Sequence, residues 1–233
     1  MTITFFAVDP QYSDGTDLSL IPPPHSQPST STTIVIWRLV AIANNVTPKG
    51  LYLPIEKSLV VDAFDILFPQ LSTSCTAGPD LQRIETCLAN PDTFTLFLAT
   101  ETTETIFFKA VPRNETDTVA ASSVAGDAGD VPSSPPRISF KISKIVGCLT
   151  LITLKLLMKS RAHIEDLVVS NDCRGQGIGR GLMKRALHDA VHIRGCEIVD
   201  LTSRPDRIQA RALYESLGFK LRDTGSFRYD APS

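Results

Sequence analysis

Apolar and polar positions along this chain follow two periods, and the change from one to the other falls at a single place. From Ala162 to Val169 the pattern is that of a strand ending Leu167-Val168-Val169, whereas from Gly177 onward Ile178, Leu182, Ala186, Ala190 and Ile193 fall near one face of a helix. Between them Gly175, Gly177, Gly179 and Gly181 alternate with Gln176, Ile178 and Arg180. Glycine admits positive φ and lets a ligand approach the main chain without a Cβ in the way. The unpaired N–H groups that open the following helix favour an anion in such a turn. The order strand, glycine turn, helix therefore predicts a cradle for phosphate or pyrophosphate, although a merely tight turn would use the same residues.

The rest of the pattern surrounds this stretch with a sheet and helices. Ile34–Val40 suits a first strand, or equally a buried helix; Glu56–Leu71 and Asp80–Leu88 carry apolar residues at helical spacing. Thr93–Thr100 alternates Phe94, Leu96 and Leu98 with mostly polar partners, as a half-buried strand does. Lys144–Leu154 is a strongly apolar strand, and Ala162–Val169 leads into the turn. After the helix, with Gly195 placed as its C-terminal cap, come a short strand at Glu197–Leu201 and a last helix capped by Asp206 and ended by Gly218. Phe219–Arg222 and Ser226–Tyr229 around Thr224-Gly225 predict a closing hairpin. The fold class is α/β (α+β), a mostly antiparallel meander followed by strand, turn and helix.

Two segments stand outside this pattern. Residues 1–33 read as a flexible leader, with Pro22-Pro23-Pro24, Pro28 and a Ser/Thr run, and residues 110–137 as a disordered insertion between neighbouring strands. Residues 34–233 are then one domain.

Composition narrows the function classes. A formal net charge of -2 provides no broad basic field, which argues against sequence-independent nucleic-acid binding. Cys75, Cys87, Cys148, Cys173 and Cys196 form no C-x-x-C pair and have no His at metal spacing, so neither a disulfide framework nor a metal site is expected. They suit reduced thiols in a cytoplasmic protein. The apolar run Ile145–Met158 contains Lys155 and is too short to span a bilayer, so no membrane association is expected.

The glycine turn fits neither a Walker turn nor a dinucleotide fingerprint, because five residues after Gly175, Gly177 and Gly179 stand Arg180, Leu182 and Lys184, and the third glycine of G-x-G-x-x-G would fall on Arg180 or Leu182. What fits is R-x-x-G-x-G, Arg174 to Gly179. With the preceding strand it resembles the acyl-CoA signature of the GNAT superfamily of N-acetyltransferases. A second block, Ala212 to Phe219 (ALYESLGF), is similar to that family's helix carrying Tyr and closing Gly-Phe, here Tyr214, Gly218 and Phe219. Ile164–Val169 looks like the corresponding strand of glucosamine-6-phosphate N-acetyltransferases, and Asp200–Phe219 resembles a group of GNAT proteins with an L-T-S-R-P segment. The chain departs from many members at Arg207, seven positions before the Tyr, where they carry an Asn that touches pantetheine.

The resemblance implies the GNAT fold, a mixed, mostly antiparallel sheet flanked by helices and splayed where acyl-CoA binds. It also implies an acetyl-CoA-dependent N-acetyltransferase that acts on a small-molecule amine, as a monomer or homodimer, by direct transfer. A non-catalytic acyl-CoA-binding module or a protein acetyltransferase are the alternatives. Arg174, Gly175, Gln176, Gly177, Ile178, Gly179 and Arg180 would hold the pyrophosphate, and Leu167, Val168 and Val169 the pantetheine, with Arg207 beside it. Glu165 is the favoured base, with adjacent Asp166 as the other carboxylate. Adjacent strand residues point to opposite faces, so only one of the two reaches the acceptor unless a bulge intervenes. His163, on the side of Glu165, is either a structural residue or placed to orient that carboxylate, and Tyr214 is either a packed core residue or the acid for the leaving thiolate.

Overall fold

Alternation along one strand separates two cores. In β4 (Phe94–Phe107), Leu96 and Leu98 pack on one side of the sheet while Phe97 and Ala99 pack on the other. The computed structural model describes residues 3–8, 30–43, 52–72, 74–107 and 137–231. In chain order the remaining strands are β1 (Ile3–Val8), β2 (Thr30–Ala43), β3 (Tyr52–Ile55), β5 (Arg137–Lys155), β6 (Ser160–Val169) and β7 (Ile198–Leu201). They form one sheet in the order β3-β1-β2-β4-β5-β6-β7, antiparallel throughout except for the β6–β7 pair.

Helices cover both faces. α1 (Lys57–Leu71) and α2 (Leu81–Leu88) bury Val60, Ala63, Phe64, Leu67, Ile84 and Leu88 against the Leu96/Leu98 face, and Asp80 caps α2 by accepting the Arg83 N–H at 2.7 Å. On the opposite face α3 (Ile178–His188) buries Ile178, Leu182, Met183 and Ala186, and α4 (Ile208–Ser216) adds Tyr214. Leu182 and Met183 are fully buried, each contributing about 1.5–3 kcal/mol of apolar burial. α3 runs into a π turn, Asp189–Ile193, after which Arg194 bonds to buried Asp189 at 2.8 Å and to the carbonyls of Pro91 and Asp92 at 3.0 and 2.9 Å. That guanidinium ties the far end of α3 to the entry of β4.

Most expected elements are present, with differences at the edges. The strand expected at Ile34–Val40 extends over Thr30–Ala43, and Ile3–Val8 pairs with it, so the flexible leader is corrected at residues 3–8 and 30–33; the remainder of 1–33 lies outside the described residues. Residues 110–136 of the expected insertion also lie outside them, whereas Arg137 already belongs to β5. The closing hairpin is absent. Residues 219–231 follow α4 without strand pairing, and Leu221, Phe227 and Tyr229 are exposed, because the turn residues there are not matched by an apolar face to bury.

Phe107 and Arg137 stand directly opposite each other across the β4–β5 ladder. Replacing 108–136 with a four-residue turn should therefore leave the protein folded. Shortening the connection from roughly thirty residues to four removes about three doublings of length, a gain of up to about 2 kcal/mol if the ends are joined by flexible chain. Urea unfolding measures it; loss of soluble, cooperatively unfolding protein would show that the segment belongs to the core.

Candidate active site

Pairing between β6 and β7 covers only Arg161–Ile164 against Ile198–Leu201. Beyond Ile164, β6 continues to Val169 with β5 as its neighbour and, among the described residues, no strand on its other side. At the same point the β5–β6 register shifts: Cys148 faces Val168 and Thr150 faces Glu165, so Asp166 and Leu167 together oppose Leu149. This is a β-bulge, and Asp166 has φ 53°, a left-handed conformation that aspartate tolerates better than most residues. The bulge reverses the alternation. Ala162 and Ile164 face the α3 core, but past the bulge Leu167 and Val169 take that face and Val168 turns to the α1 core. Gly147 makes room for this, since a Cβ there would lie 2.9 Å from the Val168 carbonyl oxygen.

Two clefts open along the free edge of β6. The larger, about 850 Å³, is lined by Leu167, Val168, Val169, Arg174, Gly175, Gly177, Ile178, Gly179, Arg180 and Arg207, which are residues the sequence assigns to the cofactor. Gly177 caps α3 with φ 78°, and a Cβ there would meet nothing within 4 Å, so the backbone is open to close approach. Gln176 is exposed in the turn and does not line the cleft. The Arg174 guanidinium donates to the Val169 carbonyl at 3.3 Å and that of Arg180 to the Ser216 hydroxyl at 2.7 Å, so both are anchored at the rim.

The smaller cleft, about 420 Å³, is lined by Glu165 and Asp166 together. The bulge thus brings both carboxylates to one cavity, where an unbroken strand would have separated them. His163 Nε2 lies 3.1 Å from Glu165 Oε1. The Asp166 carboxylate accepts the Thr150 hydroxyl at 3.0 Å; burial pushes its pKa above the ordinary aspartate value, with that hydrogen bond opposing the shift.

Tyr214, Leu167, Arg204, Arg207, Leu71 and Ser72 line both clefts, so the two meet there. Tyr214 is buried and packs edge-on to Phe219, centroids 6.2 Å apart. Desolvation raises the phenol's pKa, Arg207 lowers it and Glu165 raises it. The sequence did not point to the end of α1 as part of the site. The Gln70 side-chain oxygen Oε1 accepts the Asn171 N–H at 2.8 Å, and the Leu71 main-chain carbonyl accepts a hydrogen bond from the Arg207 guanidinium, so the last carbonyl of α1 is satisfied across the cleft. Polar Gln70 and Ser72 after an apolar helical run were the available signal. Among the described residues no group of three or more His, Cys, Asp or Glu is placed to hold a metal ion, no helix is long and apolar enough to cross a membrane, and all five cysteines are free.

An open, mostly antiparallel sheet parted at one strand, with a glycine turn and helix at the parting, is the architecture of the GNAT fold. Residues 125–219 match the Acetyltransferase (GNAT) family. An uncharacterized N-acetyltransferase of Methanocaldococcus jannaschii is 30% identical over 83 residues, 36% of this chain and 53% of that protein. N-acetyltransferase family 8 member 3 of Rattus norvegicus is 35% identical over 88 residues, 37% of each chain. The chain thus spans about half the length of the first relative and less of the second. Among solved structures, glucosamine-6-phosphate N-acetyltransferase from Arabidopsis thaliana superposes with TM-score 0.51 at 18% identity, covering 84% of this chain and 98% of that one. An aminoglycoside acetyltransferase from an uncultured soil metagenomic sample, solved with sisomicin, gives TM-score 0.51 at 18% identity over 86% and 97%. At that identity these two structures show the fold alone.

Asp166→Asn tests the electrostatics of the bulge. A carboxyl whose folded pKa is raised costs stability above that pKa, and the cost vanishes as pH falls to the unfolded value near 3.9. Asparagine keeps an acceptor for Thr150 and tolerates positive φ. The variant should melt higher than the parent at pH 7, by about 2–4 °C for each kcal/mol relieved, with the difference closing toward pH 4. A lower melting temperature at pH 7 would contradict this.

Proposed function

We propose that this protein is an N-acetyltransferase that moves the acetyl group of acetyl-CoA to a primary amine of a small molecule, by direct attack within a ternary complex. The observation that carries the reading is the meeting of two clefts at Tyr214 beside the unpaired edge of β6. The larger cleft takes CoA: amides of the 175–179 turn and the start of α3 hold its pyrophosphate, Arg174 and Arg180 add charge, and pantetheine lies along Leu167–Val169 as a surrogate strand. A backbone N–H on this edge polarises the thioester carbonyl.

The smaller cleft takes the acceptor. Its volume suits a small molecule, which favours that class over a protein side chain approaching an open groove. Glu165, held by His163, removes the amine's proton, directly or through water; the amine nitrogen attacks the carbonyl carbon; and as the C–S bond breaks the Tyr214 hydroxyl gives its proton to the CoA sulfur. A phenol with a raised pKa stays protonated, and so able to donate, to a higher pH than an ordinary tyrosine. Asp166 shapes the bulge and supplies the second carboxylate of the acceptor cleft.

Incubation with acetyl-CoA and a panel of primary amines, followed by mass spectrometry and CoA release, should give an N-acetyl product. CoA binding without product across a broad panel would instead support a non-catalytic acyl-CoA-binding module. Tyr214→Phe keeps the ring packing and removes only the hydroxyl, so kcat should fall by about 10²-fold while CoA affinity and melting temperature hold, the loss shrinking as pH falls. A variant that melts markedly lower yet turns over at the parent rate would assign Tyr214 to the core.

A further inference from the structure

The walls of the smaller cleft do not balance in charge. Against Glu165 and Asp166 stand the guanidinium groups of Arg204, Arg207 and Arg228. The Asp166 carboxylate already accepts the Thr150 hydroxyl at 3.0 Å and Glu165 Oε1 lies 3.1 Å from His163 Nε2, so both carboxylates have partners before any substrate enters. The positive side is less committed. Arg207 donates to a neutral carbonyl, which leaves its charge uncompensated, and Arg204 meets Asp206 only at 3.5 Å with both side chains more than half exposed, a weak pair. Arg204 and Arg207 also face the larger cleft, but Arg228 lines only the smaller one, together with the hydroxyl residues Thr202, Ser203 and Ser226.

Primary amines arrive in water as ammonium ions, and a purely cationic acceptor would be repelled by this wall. A guanidinium fork matches carboxylate or phosphate oxygens in a paired geometry, and neighbouring hydroxyls can donate to the same group. We infer that the acceptor is an amine that also carries an anionic group, a carboxylate or a phosphate monoester, seated against Arg228 and Arg204 with its amine directed to Glu165. This rests on the acetyltransferase reading and specifies the substrate class of the same cleft. It disfavours polyamine-like acceptors, whose several ammonium groups would all face the arginines.

Binding and turnover together test it. Calorimetry on the full chain saturated with CoA, which permits binding without reaction, compares glucosamine 6-phosphate with glucosamine, β-alanine with β-alaninamide, and spermidine with both pairs. At least one anionic member should bind tenfold or more tighter than its neutral partner and than spermidine, and the pair that shows it distinguishes phosphate from carboxylate. Arg228→Gln, on an exposed segment where folding is not at stake, should reduce that preference below about threefold. With acetyl-CoA it should raise KM for the anionic acceptor while leaving kcat and CoA affinity within about twofold. Binding of glucosamine and β-alaninamide equal to or tighter than that of both their anionic partners, binding of spermidine as tight as that of every anionic member, or an unchanged preference in Arg228→Gln, overturns the inference. Anionic preference without any acetyl product would sustain the charge reading and overturn the acetyltransferase reading alone.

Discussion

The site depends on one interruption of hydrogen bonding, the end of β6–β7 pairing at Ile164 and Leu201. Five further residues of β6 keep β5 as their neighbour but leave the opposite row of N–H and C=O groups without a strand. Such groups cannot be buried unpaired without a cost of about 1–3 kcal/mol each, so this edge must stay wet or receive an extended ligand. The bulge at Asp166 falls in the same five residues. By reversing the alternation it turns Val168 into the α1 core, sets Leu167 and Val169 toward α3, and places two neighbouring carboxylates in one cavity.

Around that edge the elements hold one another at fixed separation. Arg207 at the start of α4 bonds the last turn of α1, Gln70 bonds the segment after β6, and Arg180 bonds Ser216, so α1, α3 and α4 enclose the parting of the sheet. The departure at Arg207 from the asparagine common in similar proteins has a structural counterpart: the long guanidinium reaches across the cleft to a helix carbonyl, a span that a shorter amide side chain does not cover. Tyr214 lies where the two cavities join, close enough to Arg207 and Glu165 for both charges to act on its phenol.

Much of this was legible in the sequence because short-range physics decides it. The Gly175–Gly181 turn, the apolar face of α3 and the Tyr214 helix are each set within a dozen residues, and the structure has them where the pattern placed them, except that α3 ends at His188 and leaves Ile193 exposed past the π turn, and that Arg207 rather than Asp206 caps the last helix. The bulge was not legible. An unbroken Ile164–Val169 run reads as a regular strand, and the shift arises from the β5 partner, where Gly147 permits close approach of Val168. Ile3–Val8 was missed for a similar reason, since a short, mostly apolar run far from its partners becomes a strand only through pairing with β2 and β3. The expected terminal hairpin failed in the opposite sense: a good turn sequence does not make strands when nothing covers their apolar side chains.

The central claim is that the unpaired edge of β6 and the glycine turn receive the acyl-CoA ligand. Hydrogen exchange of backbone amides, followed by mass spectrometry with and without CoA, reads both segments in one experiment. Slower exchange on adding CoA is predicted for peptides spanning 165–169 and 175–181, with little change at β1, β3 or the β5–β6 turn. Protection confined to other parts of the sheet, or none at saturating CoA, would contradict the account.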